Sequence, residues 1–264
     1  MKIGFIGCGN MATAMLKGIL KSGEVKNADM IASAKSDKTR EKIEKELGIQ
    51  KADTNAQVVD FADVVFLAVK PQFLEEVLDE IKDNVKEGQI FISIAPGKTL
   101  QWLGEHLGEG TKIIRTMPNT PAMVGEGMTA LCVNDLVTEE ETALAVKLCN
   151  TFGKTEVIPE RLMDVVVGVS GSSPAYVFMF LEAMADAAVA DGMPRAQAYK
   201  FAAQAVLGSA KLMLETGKHP GELKDMVCSP AGTTIEGVRI LEQNGFRSAV
   251  FEALNGAAEK GKKM

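Results

Sequence analysis

The feature that most constrains the fold is a glycine-rich turn near the start of the chain. The apolar run Lys2–Ile6 leads directly into Gly7-Cys8-Gly9-Asn10-Met11-Ala12, and a helical pattern follows over Asn10–Lys21. In such a G-x-G-x-x-A pattern the first glycine permits a tight turn, the second admits a pyrophosphate, and the small last residue lets the helix pack on the strand. The pattern predicts a βαβ unit that binds a dinucleotide at the helix N-terminus. The residues expected to bind it here are Ile6, Gly7, Cys8, Gly9, Asn10 and Met11.

Apolar, β-rich runs alternate with helical stretches over the first 160 residues. This alternation predicts crossover connections and a doubly wound, mostly parallel Rossmann-like sheet. The predicted strands are Lys2–Ile6, Asp29–Ala34, Val64–Val69, Gln89–Ala95, Lys112–Met117, Met128–Val133 and Thr155–Ile158. The predicted helices between the early strands are Asn10–Lys21, Lys38–Leu47 and Phe73–Val85.

After Ile158 the strand-like runs stop, and the rest of the chain has the pattern of consecutive helices. We therefore predict two domains, a dinucleotide-binding domain over 1–160 and an all-α domain over 161–264. The predicted helices of the second domain are Pro174–Ala190, Arg195–Glu215, Gly221–Val227, Gly232–Gln243 and Arg247–Lys260.

The segment Tyr176–Ala190 is apolar on most sides and is interrupted only by Glu182 and Asp186. A helix that is apolar all round is usually buried all round, which a domain of about 100 residues achieves poorly alone. We therefore predict a dimer formed through this helical domain. The alternative is a helix covered by its own domain and the sheet domain.

Composition excludes several other classes of protein. The chain has 264 residues, of which 46% are hydrophobic and 24% charged, and a net charge of −6. These values are typical of a soluble globular protein and argue against nucleic-acid binding. The four cysteines form no CxxC pair or metal-ligand spacing, so no metal site is expected. With no signal peptide or membrane span predicted, the cytoplasm is the expected location.

The end of the second predicted strand bears on the choice of cofactor. NAD-binding proteins of this kind carry an acid there, which receives the ribose 2′-hydroxyl. This chain has Ser33 in that place, followed by Lys35. A hydroxyl and a cation suit a 2′-phosphate, so NADPH is favoured, with NADH as the second candidate. Alternatively, Lys35 is a solvated loop charge, and Asp37 reaches the ribose instead.

Three further strand ends carry candidate residues, because ligands bind at the carboxyl ends of parallel strands. Ala68-Val69-Lys70-Pro71 and Ala95-Pro96-Gly97 are candidate cofactor contacts, although Lys70 is equally suited to cap its strand. In Arg115-Thr116-Met117-Pro118-Asn119-Thr120-Pro121, two prolines stiffen a polar pair. Asn119 is a candidate to orient the carboxamide or the substrate, and a plain turn is the alternative.

In the helical part, Cys228-Ser229-Pro230-Ala231-Gly232-Thr233-Thr234 has the pattern of an N-cap followed by a proline in the first turn. The backbone N–H groups of Gly232, Thr233 and Thr234, with two hydroxyls, are suited to a carboxylate. An ordinary capped helix explains the same residues.

Together these motifs resemble the pyrroline-5-carboxylate reductase family, in the family's order and over nearly the whole chain. The matching segments are Phe5–Met11, Ala68–Pro71, Arg115–Pro121, Gly171–Tyr176, His219–Asp225 and Ser229–Thr234. The resemblance implies reduction of Δ1-pyrroline-5-carboxylate to proline by a Rossmann domain followed by a helical dimerisation domain. It also implies an active site where the helical domain of one subunit meets the cofactor domain of its partner, and dimers that often form larger rings.

The resemblance also implies roles for single residues. Asn55 joins Ser33 near the adenosine end of NADPH, and the substrate-binding residues Ser229, Ala231, Gly232, Thr233 and Thr234 hold the carboxylate, with Thr234 nearest the ring nitrogen. The chain departs from the family at Ala231, where glycine is common, and Ala231 is strained if its φ is positive. Gly171-Ser172-Ser173 replaces the more usual Gly-Ser-Gly.

The chemistry fits a chain with few acid–base groups, because a protonated cyclic imine accepts hydride readily. Thr234, or an ordered water, is the candidate proton relay, and no histidine, cysteine or metal is required. The competing enzyme is a β-hydroxyacid dehydrogenase-like protein that uses a lysine such as Lys200 or Lys211. A non-catalytic NADPH-binding protein is the alternative of a different class.

Overall fold

The computed structural model describes residues 1–263, which form two compact units. The first unit contains Met1–Ser172 and the residues from Gly256 onward, and the second contains Ser173–Asn255. Compared with the boundary at 160/161 expected from the sequence, the first unit also includes the segment 161–172 and the residues from Gly256 onward. That segment contacts the sheet unit, because Met163 is buried with Ala130 and Cys132.

The first unit is built on one eight-stranded sheet. Its strands are β1 (Ile3–Ile6), β2 (Met30–Ser33), β3 (Gln50–Lys51), β4 (Val64–Leu67), β5 (Ile90–Ser93), β6 (Lys112–Met117), β7 (Gly127–Val133) and β8 (Gly153–Val157). They lie in the order β3-β2-β1-β4-β5-β6-β7-β8. The first six strands are mutually parallel, β7 is antiparallel to β6, and β8 is parallel to β7. The predicted doubly wound, mostly parallel sheet is therefore confirmed.

Helices connect these strands. They are α1 (Asn10–Ser22), α2 (Asp37–Lys45), α3 (Asn55–Phe61), α4 (Leu74–Ile81), α5 (Leu100–Leu107), α6 (Glu139–Cys149) and α7 (Met163–Val166), followed by a π-helical turn, Val167–Ser172. The sequence did not predict β3, α3, α5 or α6, three of which are too short for a clear periodicity. It also extended two strands to Val69 and Ala95, whereas the chain already turns after Leu67 and Ser93.

The central strands of the sheet are buried on both faces, as the strands of parallel sheets are. Every residue of β1, β2, β4 and β5 is buried. On one face, the rings of Phe5 and Phe66 stack with their centroids 4.4 Å apart and join neighbouring strands β1 and β4. This packing holds the carboxyl ends of the central strands in a fixed arrangement.

The second unit contains α8 (Ser173–Ala190), α9 (Arg195–Thr216), α10 (Pro220–Val227), α11 (Thr233–Gln243) and most of α12 (Phe246–Gly261). Only Ala185 of α8 is buried, and only Ala198 and Ala202 of α9. Large apolar side chains such as Phe178 and Leu214 remain 64% and 83% exposed. The apolar helix expected to be buried is thus not covered by its own chain.

The helical stretch that ends with α8 also bears on the prediction that the chain has no membrane span. Over Glu160–Ala190 the chain forms consecutive helical elements whose combined length and composition suffice to cross a membrane, although the sequence predicted no such span. Only 6% of its most apolar window is buried within the chain. Length and composition alone are weak evidence for a span, because core helices of soluble proteins pass the same test.

Candidate functional site

The glycine turn lies at the point where the strand order reverses, between β1 and β4. Gly7 follows β1 with a positive φ of 92°. A Cβ on this residue would come within 2.7 Å of the carbonyl oxygen of Ala68, which follows β4. The N–H group of Gly7 also donates to the carbonyl oxygen of Ser33 at 3.2 Å. Only glycine fits this position, and ligands of doubly wound sheets bind at such switch points.

The turn exposes the start of α1. Gly9 is the N-cap residue, and no side chain caps the helix. A Cβ built on Gly9 would meet no atom within 4 Å, so the space in front of the helix is open. The N–H groups of Asn10 and Met11 therefore lie in an uncapped first turn, which suits an anion.

Cys8 belongs to the core rather than to the open side of the turn. Its side chain is buried with the apolar residues around β1, and its Sγ lies 3.9 Å from the hydroxyl of Thr13. Burial raises the pKa of the Cys8 thiol, an effect that the Thr13 hydroxyl and the charge of Lys42 only partly oppose. The thiol thus stays protonated at neutral pH, and only the backbone of Cys8 is suited to contact a ligand.

The end of β2 is connected to α3 and α4 by a chain of hydrogen bonds. Ser33, which is buried, donates from Oγ to Oδ1 of Asn55 at 2.6 Å. Nδ2 of Asn55 donates to Oε2 of Glu80 at 2.7 Å, and the backbone N–H of Asn55 donates to Oε1 of the same carboxylate at 3.3 Å. The predicted pair of Ser33 and Asn55 is thus brought together, and Glu80 is an added member.

Lys35 lies two residues beyond β2. Its Nζ is 5.3 Å from the ring centroid of Phe73, the residue that precedes α4. Arg40, on α2, donates from Nε to the carbonyl oxygen of Ala34 at 2.8 Å. Two cations, Lys35 and Arg40, therefore border the chain just after Ser33. The sequence had indicated only Lys35.

The remaining candidates of the first unit follow β4, β5 and β6. Ala68–Pro71 and Ala95–Gly97 follow adjacent parallel strands, and Gly97 makes a turn with a φ of 76°. Asn119 is buried: its Oδ1 accepts from the N–H group of Met128 at 2.8 Å, and its Nδ2 donates to the carbonyl oxygen of Ser170 at 3.0 Å. These bonds favour the turn interpretation of Asn119.

An ion-pair cluster around Arg115 anchors strand β6. The Arg115 side chain is only 7% exposed and pairs with Glu160 at 3.0 Å and with Asp164 at 3.7 Å. Oε1 of Glu160 also accepts from the N–H group of Leu100 at 2.7 Å. Arg115 thus ties β6 to the start of α5 and to the segment that follows β8.

The candidate carboxylate loop lies in the second unit and differs from the sequence prediction. The helix begins at Thr233 with Gly232 as its N-cap, so Ser229-Pro230 is not the start of a helix. Instead the N–H group of Gly232 donates to the carbonyl oxygen of Ser229 at 3.0 Å. Residues 229–232 form a β-turn, in which proline favours the second position. The Gly232 N–H is therefore committed, and those of Thr233 and Thr234 begin the uncapped helix.

Ala231 has a positive φ, the conformation that the sequence analysis described as strained for an alanine. Its φ is 55°, and it is the only residue other than glycine with a positive φ in the described part of the chain. Gly232 next to it allows no side chain, because a Cβ there would lie 2.3 Å from Oγ of Ser229. A strained backbone retained at an exposed loop is often associated with a functional site.

Other residue types with catalytic potential have structural partners. Nδ1 of His219 accepts from the N–H group of Gly221 at 3.1 Å and caps α10, and Nδ1 of His106 lies 2.8 Å from the carbonyl oxygen of Trp102. Lys211 pairs with Glu215 on α9. Burial raises the pKa of Cys149 to about 12. Within residues 1–263, no three His, Cys, Asp or Glu side chains are grouped to hold a metal ion.

The sheet topology, the glycine turn and the separate helical unit define a Rossmann-type oxidoreductase. Residues 160–264 match the family model described as pyrroline-5-carboxylate reductase dimerisation, and residues 2–97 match that of coenzyme F420-dependent NADP oxidoreductases. The chain is 55% identical over 263 residues to the pyrroline-5-carboxylate reductase of Escherichia coli (strain K12), covering 100% of this chain and 98% of that protein.

Two solved structures extend the comparison. A pyrroline-5-carboxylate reductase from Coxiella burnetii superposes with a TM-score of 0.93 at 33% identity, covering 99% of this chain and 97% of that one. The Plasmodium falciparum enzyme, solved with NADP bound, gives 0.89 at 31% identity, covering 100% and 97%. The chain belongs to the pyrroline-5-carboxylate reductase family, as the resemblance predicted.

The open space at Gly9 leads to the first prediction. Gly9→Ala should change the melting temperature little, because the methyl group meets no protein atom and the lower entropy of the unfolded chain offsets the poorer N-cap. The methyl group does crowd a dinucleotide pyrophosphate. A steric cost of about 1–3 kcal/mol corresponds to roughly 5- to 150-fold weaker NADPH binding. Fluorescence titration measures the dissociation constant. Gly110→Ala, an equally open glycine away from the turn, is the matched control, and equal affinity in both variants would contradict the assignment.

Proposed function

We propose that the protein reduces Δ1-pyrroline-5-carboxylate to L-proline with NAD(P)H, the last step of proline biosynthesis. The observation that carries the proposal is the turn Ser229–Gly232 in front of α11, because generic Rossmann oxidoreductases lack this loop. It presents uncapped N–H groups and the hydroxyls of Thr233 and Thr234 at a helix N-terminus. The substrate is a small carboxylate, which such a helix N-terminus binds well.

The first unit fits a nicotinamide dinucleotide. The uncapped start of α1 and the open space at Gly9 suit the pyrophosphate, and Ser33, Lys35 and Asn55 suit the adenosine ribose. With Lys35 nearby and no acid at the end of β2, NADPH is the preferred form, as the related Plasmodium falciparum structure with NADP bound supports. Ala68–Pro71 and Ala95–Gly97 then border the nicotinamide half.

The reaction adds a hydride to the imine carbon and a proton to the ring nitrogen. NADPH, when bound, supplies the hydride. The N–H groups of Thr233 and Thr234 hold the carboxylate and so orient the ring, and the Thr234 hydroxyl relays a proton to its nitrogen. Because a cyclic imine is itself basic, no strong acid is needed, and most of the acceleration comes from holding the reactants in position.

We further propose that the protein acts in the cytoplasm as a homodimer, joined through the helical part 161–264, with 1–160 as the cofactor domain. Exposed apolar side chains support this assembly. Phe178, Met179 and Tyr199 line a hollow of about 400 Å³ on the surface of α8 and α9. Dimers of this kind form larger rings in the family, and we extend that to this chain.

The activity itself is tested with purified protein. We expect oxidation of NADPH at 340 nm that depends on Δ1-pyrroline-5-carboxylate, yields proline, and proceeds more slowly with NADH. Hydroxyacids and NADP⁺ serve as the comparison, because they test the dehydrogenase alternative. Activity on hydroxyacids alone would replace the proposal, and NADPH binding without turnover of any substrate would make the protein a non-catalytic binder.

The proton relay is tested at Thr234. Thr234→Ala should lower kcat about 10- to 100-fold, the usual range for general-acid effects, while the dissociation constant for NADPH stays unchanged. Thr234→Ser keeps the hydroxyl and should restore most of the activity. An unchanged kcat in Thr234→Ala removes Thr234 from the catalytic residues and leaves the relay to water.

The assembly is tested by light scattering at micromolar concentration, where the mass should be at least that of two chains. Phe178→Glu places a charge on the apolar surface of α8 and should shift the mass toward one chain. Val124→Glu changes a similarly exposed residue of the sheet unit and serves as the control. A single-chain mass for the unmodified protein would refute the dimer.

A further inference from the structure

We propose that Glu80 limits the preference for NADPH by orienting Ser33 through Asn55, so that Ser33 accepts a hydrogen bond from the 2′-hydroxyl of NADH. This inference rests on the proposed NAD(P)H-dependent function and adds a residue that the sequence did not indicate. Glu80 is a positioning residue in this scheme, because it acts through two other side chains. It lies on α4, whereas Ser33 ends β2 and Asn55 begins α3.

The direction of each hydrogen bond between Ser33, Asn55 and Glu80 follows from the Glu80 carboxylate, which can only accept. A carboxylate has no proton to donate, so the Asn55 atom that faces Glu80 at 2.7 Å is the amide nitrogen Nδ2. The backbone N–H of Asn55 donates to the other oxygen of the same carboxylate. These two bonds fix the orientation of the amide and leave Oδ1 to face Ser33.

Because Oδ1 only accepts, Ser33 must give its hydroxyl proton to Asn55, across 2.6 Å. Ser33 Oγ then has only its lone pairs available to a ligand, so it can accept a hydrogen bond but cannot donate one. A ribose 2′-hydroxyl is such a donor, whereas a 2′-phosphate has essentially none near neutral pH. Acting through two hydrogen bonds, Glu80 thereby makes Ser33 Oγ an acceptor for the 2′-hydroxyl. NAD-binding proteins instead place an acidic acceptor directly at the end of this strand.

The 2′-phosphate is recognised by a different group of residues. Lys35 lies over the ring of Phe73, and Arg40 is held by the carbonyl oxygen of Ala34 and by an ion pair with Asp37 at 3.7 Å. The protein thus holds cations for the phosphate of NADPH and an oriented acceptor for the hydroxyl of NADH. Glu80 should limit the discrimination between the two cofactors without contacting either one.

The test compares ligands that differ only at the 2′ position. Adenosine 5′-monophosphate and its 2′-deoxy analogue carry equal charge, so their affinity ratio reports the 2′-hydroxyl contact and not the local potential. By calorimetry, we expect the hydroxyl to improve affinity about fivefold in the unmodified protein, as one hydrogen bond does. Glu80→Gln should bring this ratio below about twofold, because a glutamine amide also donates and lets the Asn55 amide turn over.

Asp79→Asn removes the same charge from the neighbouring residue of α4 and should leave the 2′-hydroxyl ratio at its original value. In Glu80→Gln, the dissociation constant for NADH should also rise relative to that for NADPH by about the same factor. An unchanged 2′-hydroxyl ratio in Glu80→Gln would overturn the role of Glu80 while leaving the proposed function intact. Failure of the unmodified protein to bind any of these nucleotides, NADPH included, would overturn both.

Discussion

The close approach of Gly7 to the carbonyl group of Ala68 is the constraint on which the cofactor side of the structure depends. It occurs where the sheet reverses its strand order, and it requires a residue with a positive φ and no side chain. Because the turn is that tight, only three residues separate β1 from α1, and α1 presents an uncapped N-terminus at the carboxyl edge of the sheet. The strand ends carrying Ser33, Ala68 and Ala95 lie along the same edge.

Much of this arrangement could be predicted, because its causes are local. The spacing of Gly7 and Gly9 after an apolar strand determines the turn, and the strand-to-helix alternation determines the parallel sheet. Ser33 and Asn55 were found from the strand end and from the family motif. Glu80 was not, because an acid on an amphipathic helix is ordinarily a solvated charge, and its contact with Asn55 joins residues 25 positions apart.

The loop before α11 is a second feature that the local sequence pattern did not predict correctly. A Ser-Pro pair suits an N-cap and also suits a β-turn, and the sequence pattern alone favoured the N-cap. The choice depends on the φ of Ala231, which is positive, and alanine does not signal such a conformation as glycine would. Asn119 is a similar case, because its structural bonds reach Met128 and Ser170, which no local pattern connects to it.

We propose that the first unit binds the cofactor and that the second binds the substrate carboxylate. The central claim is that hydride passes to the ring imine. The most direct measurement uses NADPH deuterated at both C4 positions of the nicotinamide, with Δ1-pyrroline-5-carboxylate as substrate. The account predicts L-proline with a single deuterium at C5, as seen by mass spectrometry and NMR. Proline without deuterium, or no proline while the labelled cofactor is bound, would contradict it.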